Sequence, residues 1–213
     1  MKRAAAGVVF GLTALMCLGV ALVSARYFFP NPVGAEGMAI HLAARPAVLI
    51  AHVAGGVTAL AIGVFQLVTR RGPRRVWHRW AGRVYVLAVL IGSVAGLGLA
   101  LTSTAGPMAH WGFGLLAVAW FSTTVMGWRK AVAGEFGQHR RWMIRSLSLT
   151  FAAVTLRIML PLIPLTGMDF VEAYRWVAFL CWVPNLLVAE LWIRLSGWPE
   201  APTRALQTSP RSR

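Results

Sequence analysis

The sequence predicts an all-α, polytopic membrane protein: a bundle of six transmembrane helices with both termini in the cytoplasm. Three observations predict it. Of 213 residues, 58% are hydrophobic and only 13% are charged, where an ordinary soluble domain carries about a quarter charged residues. The apolar residues gather into runs close to the ~20 needed to cross a hydrocarbon core about 30 Å thick. Nearly all the basic residues behind the net charge of +15 lie in the connections between those runs or in the terminal segments. That sets nucleic-acid binding aside and points to a membrane surface.

The expected spans cover residues 4–24, 46–68, 84–102, 108–127, 146–165 and 176–195, within one transmembrane domain over 1–196. Backbone groups in lipid need internal partners, so each span is a helix. Met1-Lys2-Arg3, an apolar run and Val23-Ser24-Ala25 also fit a cleavable signal peptide. The run is longer than the ~7–15 residues usual for such a peptide, and the first segment is read as a retained helix. The second span carries His52 with Gly55 and Gly56. Ahead of the third lies His78, with Gly82 a turn later. The fourth carries His110 and Gly114. His139 precedes the fifth, which contains Arg157. The sixth contains Pro184, Asn185 and Glu190. Pro184 frees a carbonyl one turn earlier and predicts a kink. Residues 197–213, rich in Pro, Ser, Thr and Arg, are expected to form a disordered basic cytoplasmic tail. Cys17 and Cys181 lie inside apolar runs without a CxxC pair and are read as packing residues.

Orientation follows from Lys and Arg. The 69–83 connection holds Arg70, Arg71, Arg74, Arg75, Arg79 and Arg83. The 128–145 connection holds Arg129, Lys130, Arg140, Arg141 and Arg145. Lys2, Arg3 and the tail arginines share that side. The opposite connections carry Arg26, Arg45 and Arg175 beside Glu36, Asp169 and Glu172. Anionic headgroups at the cytoplasmic face of the cell's inner membrane are the expected partners of the basic collar.

Successive spans run in opposite directions, so His52 and His110 belong to one side and His78 and His139 to the other. Two imidazoles facing each other across a bundle can ligate a haem iron from both sides. The four histidines are therefore candidate axial ligands of up to two b haems, and a quinone or small reductant would then be the redox partner. A glycine four residues after His52, His78 and His110 lies on the same helix face. It clears space for a macrocycle or equally permits close helix packing. The alternative reading of the histidines is that they cap helix ends and bond backbone or lipid.

Arg157 and Glu190 are charges inside spans, and such groups face the bundle interior with a partner. Their levels, with Asn185 between them, predict an Arg157–Asn185–Glu190 cluster joining the fifth and sixth helices. It would act as a structural clamp or handle a proton or substrate.

The run His78-Arg79-Trp80-Ala81-Gly82-Arg83-Val84-Tyr85 is followed by His139-Arg140-Arg141-Trp142-Met143-Ile144-Arg145-Ser146, then by Arg157, Asn185 and Glu190. Together they resemble the bacterial family called domain of unknown function 2306. That resemblance implies a multi-pass inner-membrane protein with no agreed activity. The histidine layout, taken alone, is similar to diheme b-type cytochromes that carry four ligands on four successive helices. Three functions remain open: a diheme electron carrier, a haem-free transporter or lipid-binding protein, and an accessory subunit with structural histidines. No P-loop, dinucleotide fingerprint, HExxH or nucleophile elbow is present.

Overall fold

The computed structural model describes residues 2–29, 39–69 and 75–197. Arg70, Arg71, Arg74 and Glu36, which entered the orientation argument, lie outside the described residues. So do the tail after Gly197 and the side chains of Lys2, Arg3 and Arg75. Every described element is helical. In order they are α1 (Lys2–Ser24), a 3-10 turn (Ala25–Phe28), α2 (Ala39–Ala44), α3 (Pro46–Thr69), α4 (Arg75–Leu101) and α5 (Pro107–Val132). Then come α6 (Phe136–Thr150), α7 (Ala152–Met159), a 3-10 segment (Leu160–Thr166), α8 (Phe170–Leu180) and α9 (Val183–Leu195).

Five helical runs are long and apolar enough to cross a membrane: Gly7–Phe28, Pro46–Leu67, Val76–Leu101, Phe136–Thr166 and Phe170–Leu195. The remaining expected segment forms the helix α5, 26 residues long, or about 39 Å at the helical rise. It is not among the five, because His110, three glycines and the Ser122-Thr123-Thr124 run dilute its apolar character. Large apolar side chains point outward along the other helices, with Leu15 68% and Leu22 77% exposed on α1. A continuous apolar exterior of this kind is a lipid-facing surface.

Helices α4 and α6 begin at Arg75 and Phe136, well before the spans expected from 84 and 146. Hydropathy marks only the part of a helix that sits in lipid. The flanking turns, rich in Arg and Trp, stay helical because Arg is a good helix former and both residues suit the headgroup layer. His78 and His139 therefore occupy the first turns of α4 and α6.

Local chemistry sets the breaks. The chain enters α5 through Gly106 at φ +96, followed by Pro107, a conformation that favours glycine and a residue suited to the first turn. Asp169 caps α8 by accepting from the Val171 and Glu172 amides. Pro161 and Pro164 fall in the 3-10 segment that ends the fifth span, where they cannot donate to an α-helical ladder. Pro184 likewise cannot donate to the Leu180 carbonyl, and the sixth rod is interrupted between α8 and α9.

The main core joins α3 to α9 through Ala59, Tyr85, Val89, Trp120, Leu149 and Cys181. At its centre is a closed hydroxyl network. The Tyr85 hydroxyl bonds Ser146 Oγ and Thr150 Oγ1, both at 2.8 Å. Thr124 Oγ1 bonds Ser146 Oγ at 2.7 Å, and the Trp120 indole donates to Thr150 Oγ1 at 2.9 Å. Every member has a partner, the condition under which a buried polar network holds helices in register. Cys17 and Cys181 are free and buried, as packing residues should be.

Candidate functional site

The histidines sit where helices meet. His52 leaves α3 one turn before Gly55. A methyl at Gly55 would stand 2.5 Å from the Ala88 carbonyl oxygen and 2.6 Å from Gly92 Cα. The α3 and α4 backbones therefore touch at this point. Beside that contact the His52 ring lies in a slot of α4: Nδ1 donates to the Gly92 carbonyl at 2.8 Å. A methyl at Gly96 would come within 2.8 Å of the same nitrogen. A carbonyl can only accept, so Nδ1 carries the proton and Nε2 keeps the lone pair.

His110 and His139 are seated the same way. His110 Nε2 donates to the Ser103 carbonyl at 2.6 Å, tying the start of α5 to the end of α4. His139 Nδ1 donates to the Gly127 carbonyl at 2.8 Å, tying the start of α6 to the end of α5. At the first turn of α4, the His78 carbonyl accepts from the Gln66 amide of α3 at 2.8 Å.

A haem between His52 and His110 needs both ring nitrogens about 2 Å from one iron. His52 rests on Gly92 and Gly96 within α4, while His110 rests on Ser103 in the connection after α4. Of the glycines that could have cleared space, Gly55 is consumed by the α3–α4 contact, and a methyl at Gly82 would meet the Gln66 amide nitrogen at 3.1 Å. Gly56 and Gly114 are open, the latter facing only Leu97 at 3.8 Å. A groove lined by Cys17, Leu60, Gly63, Val64, Leu147 and Phe151 among others contains no histidine. In this seating His52, His110 and His139 each spend one ring nitrogen on a backbone carbonyl.

The expected Arg157–Asn185–Glu190 cluster is not formed. Glu190 pairs with Arg145 of α6, with Arg145 Nη2 to Glu190 Oε2 at 2.9 Å and a second bond from Nε. The pair is bidentate and the Arg145 guanidinium also lies over the Trp142 ring, 4.7 Å from its centroid. Asn185 Nδ2 donates to Thr155 Oγ1 and to the Cys181 carbonyl, each at 3.0 Å. Thr155 and Arg157 are two residues apart, so their side chains leave the helix about 200° apart. Thr155 meets α9 through Asn185, and Arg157 leaves the helix on a different face.

Arg157 instead points to the other side of α7. Its one hydrogen bond is from Nη1 to the Ala153 carbonyl at 3.2 Å, within its own helix. Tyr27, Arg26 and His52 lie within its electrostatic reach. The Arg26 guanidinium sits 5.3 Å from the centroid of the Tyr27 ring, and Tyr27 packs on Leu49 and Val53 of α3. An arginine at this depth costs at least ~2.5–3.5 kcal/mol without compensation.

Several of these residues left signals in the sequence. Gly92 and Gly96 have the small-xxx-small spacing of close helix contacts. Arg145 lies in the first half of the 136–166 rod and Glu190 in the last turns of the 170–195 rod, but Arg145 reads as a loop cation until α6 is seen to start at Phe136. Nothing in the linear pattern selects Tyr85, Thr124, Ser146 and Thr150 as one network.

No curated protein and no solved structure matches the chain. A family model does match over residues 49–193, described as predicted membrane protein (DUF2306). That stretch runs from the His52 slot in α3 to the Glu190 pair in α9, most of the bundle, and the chain belongs to the DUF2306 family of predicted membrane proteins.

Proposed function

We propose that this chain is a haem-free membrane protein that binds or transports a ligand in the outer half of its bundle. Its histidines would act as latches between helices. The observation that carries the reading is Arg157, a charge at membrane depth with no acidic partner among the described residues. An intramembrane ionisable group is costly and usually marks a ligand or ion path. The latch role is supported by three rings that each donate to a carbonyl of a neighbouring helix or connection.

The proposal includes six spans rather than five, with α5 crossing alongside the apolar rods and both termini on the cytoplasmic side of the inner membrane. Supporting this, α5 joins α4 to α6 through the Tyr85 network and is long enough to cross. Arg79, Arg83, Arg129, Arg140 and Arg141 then fall on the cytoplasmic face, where they attract anionic headgroups.

Reporter fusions test this arrangement. A fusion after Gly134 should read cytoplasmic, and fusions after Thr104 and Gly167 should read external. An external signal at Gly134, or the same side for Thr104 and Gly134, overturns the six-span arrangement.

A further inference from the structure

Helix α1 packs on the bundle unevenly. Its later turns are seated, with Cys17 and Ala21 against Leu60 and Val154. Its earlier turns stand off. A methyl at Gly7 or Gly11 would meet nothing within 4 Å, and Val8, Val9 and Leu12 are more than half exposed. Between those turns and the bundle runs a groove walled by Phe10 and Ala14 of α1, Gly63 and Leu67 of α3, Leu147 of α6 and Phe151 just after it. The hydroxyls along it are spent. Thr13 Oγ1 donates to the Val9 carbonyl at 2.8 Å, and Thr150 Oγ1 donates to the Ser146 carbonyl at 2.9 Å within the hydroxyl network. Cys17 packs as a small hydrophobe. Hydrocarbon is therefore the chemistry that suits this groove, and filling it restores dispersion contacts that an empty hollow forfeits.

The groove opens toward the basic end of the bundle. Helix α1 starts there with Lys2 and Arg3, Arg70 and Arg71 follow α3 in sequence, and Arg140 stands two turns before Leu147 on the same face of α6. In the whole sequence, all but Arg26, Arg45, Arg157 and Arg175 of the 21 lysines and arginines belong to that end or to the segments that continue from it. The acids there are Glu135, Glu190 and Glu200. Whatever pairs form, three carboxylates cannot balance that charge. Phe10 lies about 12 Å from the start of α1 at the helical rise, less than the ~15 Å of one leaflet's hydrocarbon. A second copy of the chain would bring the same cations to the same end and be repelled. A negative head above an acyl chain matches both the charge and the groove.

We propose that the groove between α1, α3 and α6 seats one acyl chain of an anionic phospholipid from the leaflet at the basic end, with its phosphate among the cations there. The site is independent of the ligand reading above, which places its ligand at the other end of the bundle. One wall, α1, precedes the stretch 49–193 that the family model matches.

The test uses the full chain purified in an uncharged detergent. It is titrated with phosphatidylglycerol and with phosphatidylcholine of the same chains, and bound lipid is counted by native mass spectrometry. One phosphatidylglycerol should bind at least about 5-fold more tightly, the scale of one basic residue near an anionic head. Ala14→Trp fills the groove from α1 and should weaken that binding at least about 5-fold, the scale of about ten lost dispersion contacts. Leu15→Trp puts the same ring at an outward position, 68% exposed in the wild type, and should bind lipid as the wild type does. On the unaltered chain, one equivalent of phosphatidylglycerol carrying a mid-chain diazirine should label residues 10–17 and 147–151 on illumination. Excess unlabelled phosphatidylglycerol should suppress that labelling. The proposal is overturned if the two lipids bind alike, if Ala14→Trp retains full binding, or if the label falls elsewhere. A dimer in the wild type that Ala14→Trp abolishes would assign the groove to a second copy and overturn it as well.

Discussion

Gly55→Leu will separate α3 from α4 and lower the thermal midpoint of the purified protein by about 5–10 °C, while Gly56→Ala one position later will leave it unchanged or raise it. The contrast comes from what each new side chain meets. At Gly55 even a methyl would stand 2.5 Å from the Ala88 carbonyl oxygen and 2.6–2.7 Å from the Gly92 backbone. Those are main-chain atoms, so relief requires a helix to move by about 1 Å or more. Overpacking of this kind costs ~1–3 kcal/mol and sometimes more, and in a chain of this size each kilocalorie is worth about 2–4 °C. Moving α4 away also breaks the His52 to Gly92 bond. At Gly56 nothing lies within 4 Å, and alanine is the better helix former by up to ~1 kcal/mol. Equal melting of the two variants would mean that α3 and α4 do not touch as described.

The second large effect is expected at the Arg145–Glu190 pair. Glu190→Leu leaves the Arg145 guanidinium without its bidentate acceptor. Removing one partner of a fully buried pair costs about 3–5 kcal/mol. Here the two side chains keep 21% and 30% exposure, so a loss of ~2 kcal/mol is expected. Arg145→Leu alone should cost a similar amount. The double variant should recover much of it, because neither charge is then stranded, and the coupling from the double-mutant cycle should be at least ~1 kcal/mol. Strict additivity of the two losses would show that α6 and α9 are not joined by this pair.

The sequence carried the helices more clearly than the contacts between them. Apolar run length located every rod, because lipid demands an apolar exterior whatever the interior holds. The helix starts at Arg75 and Phe136 were illegible for the same reason: once a helix leaves lipid its hydropathy stops marking it. Arg157 and Asn185 were placed at neighbouring levels, since rise per residue is nearly constant. Their faces were not legible, because a few degrees of helix rotation decide whether Thr155 or Arg157 meets α9. The glycines following the histidines had two readings that only packing separates. Gly55 proved to be a backbone contact, while Gly56 is open. The hydroxyls of Tyr85, Ser146 and Thr150 come from two helices far apart in sequence, and no local pattern ties them together.

The proposed role of the histidines, latching helices without ligating haem, is tested by the visible absorption spectrum of the full chain. The protein should be produced with haem in ample supply and purified in a mild detergent, and its spectrum recorded before and after reduction. Under this account the protein is colourless in both states. His52→Ala and His110→Ala would then each lower stability by about 1 kcal/mol, the scale of a lost side-chain hydrogen bond, and so lower the melting temperature without altering the spectrum. A sharp band appearing on reduction in the wild type, and lost in His52→Ala or His110→Ala, would contradict it.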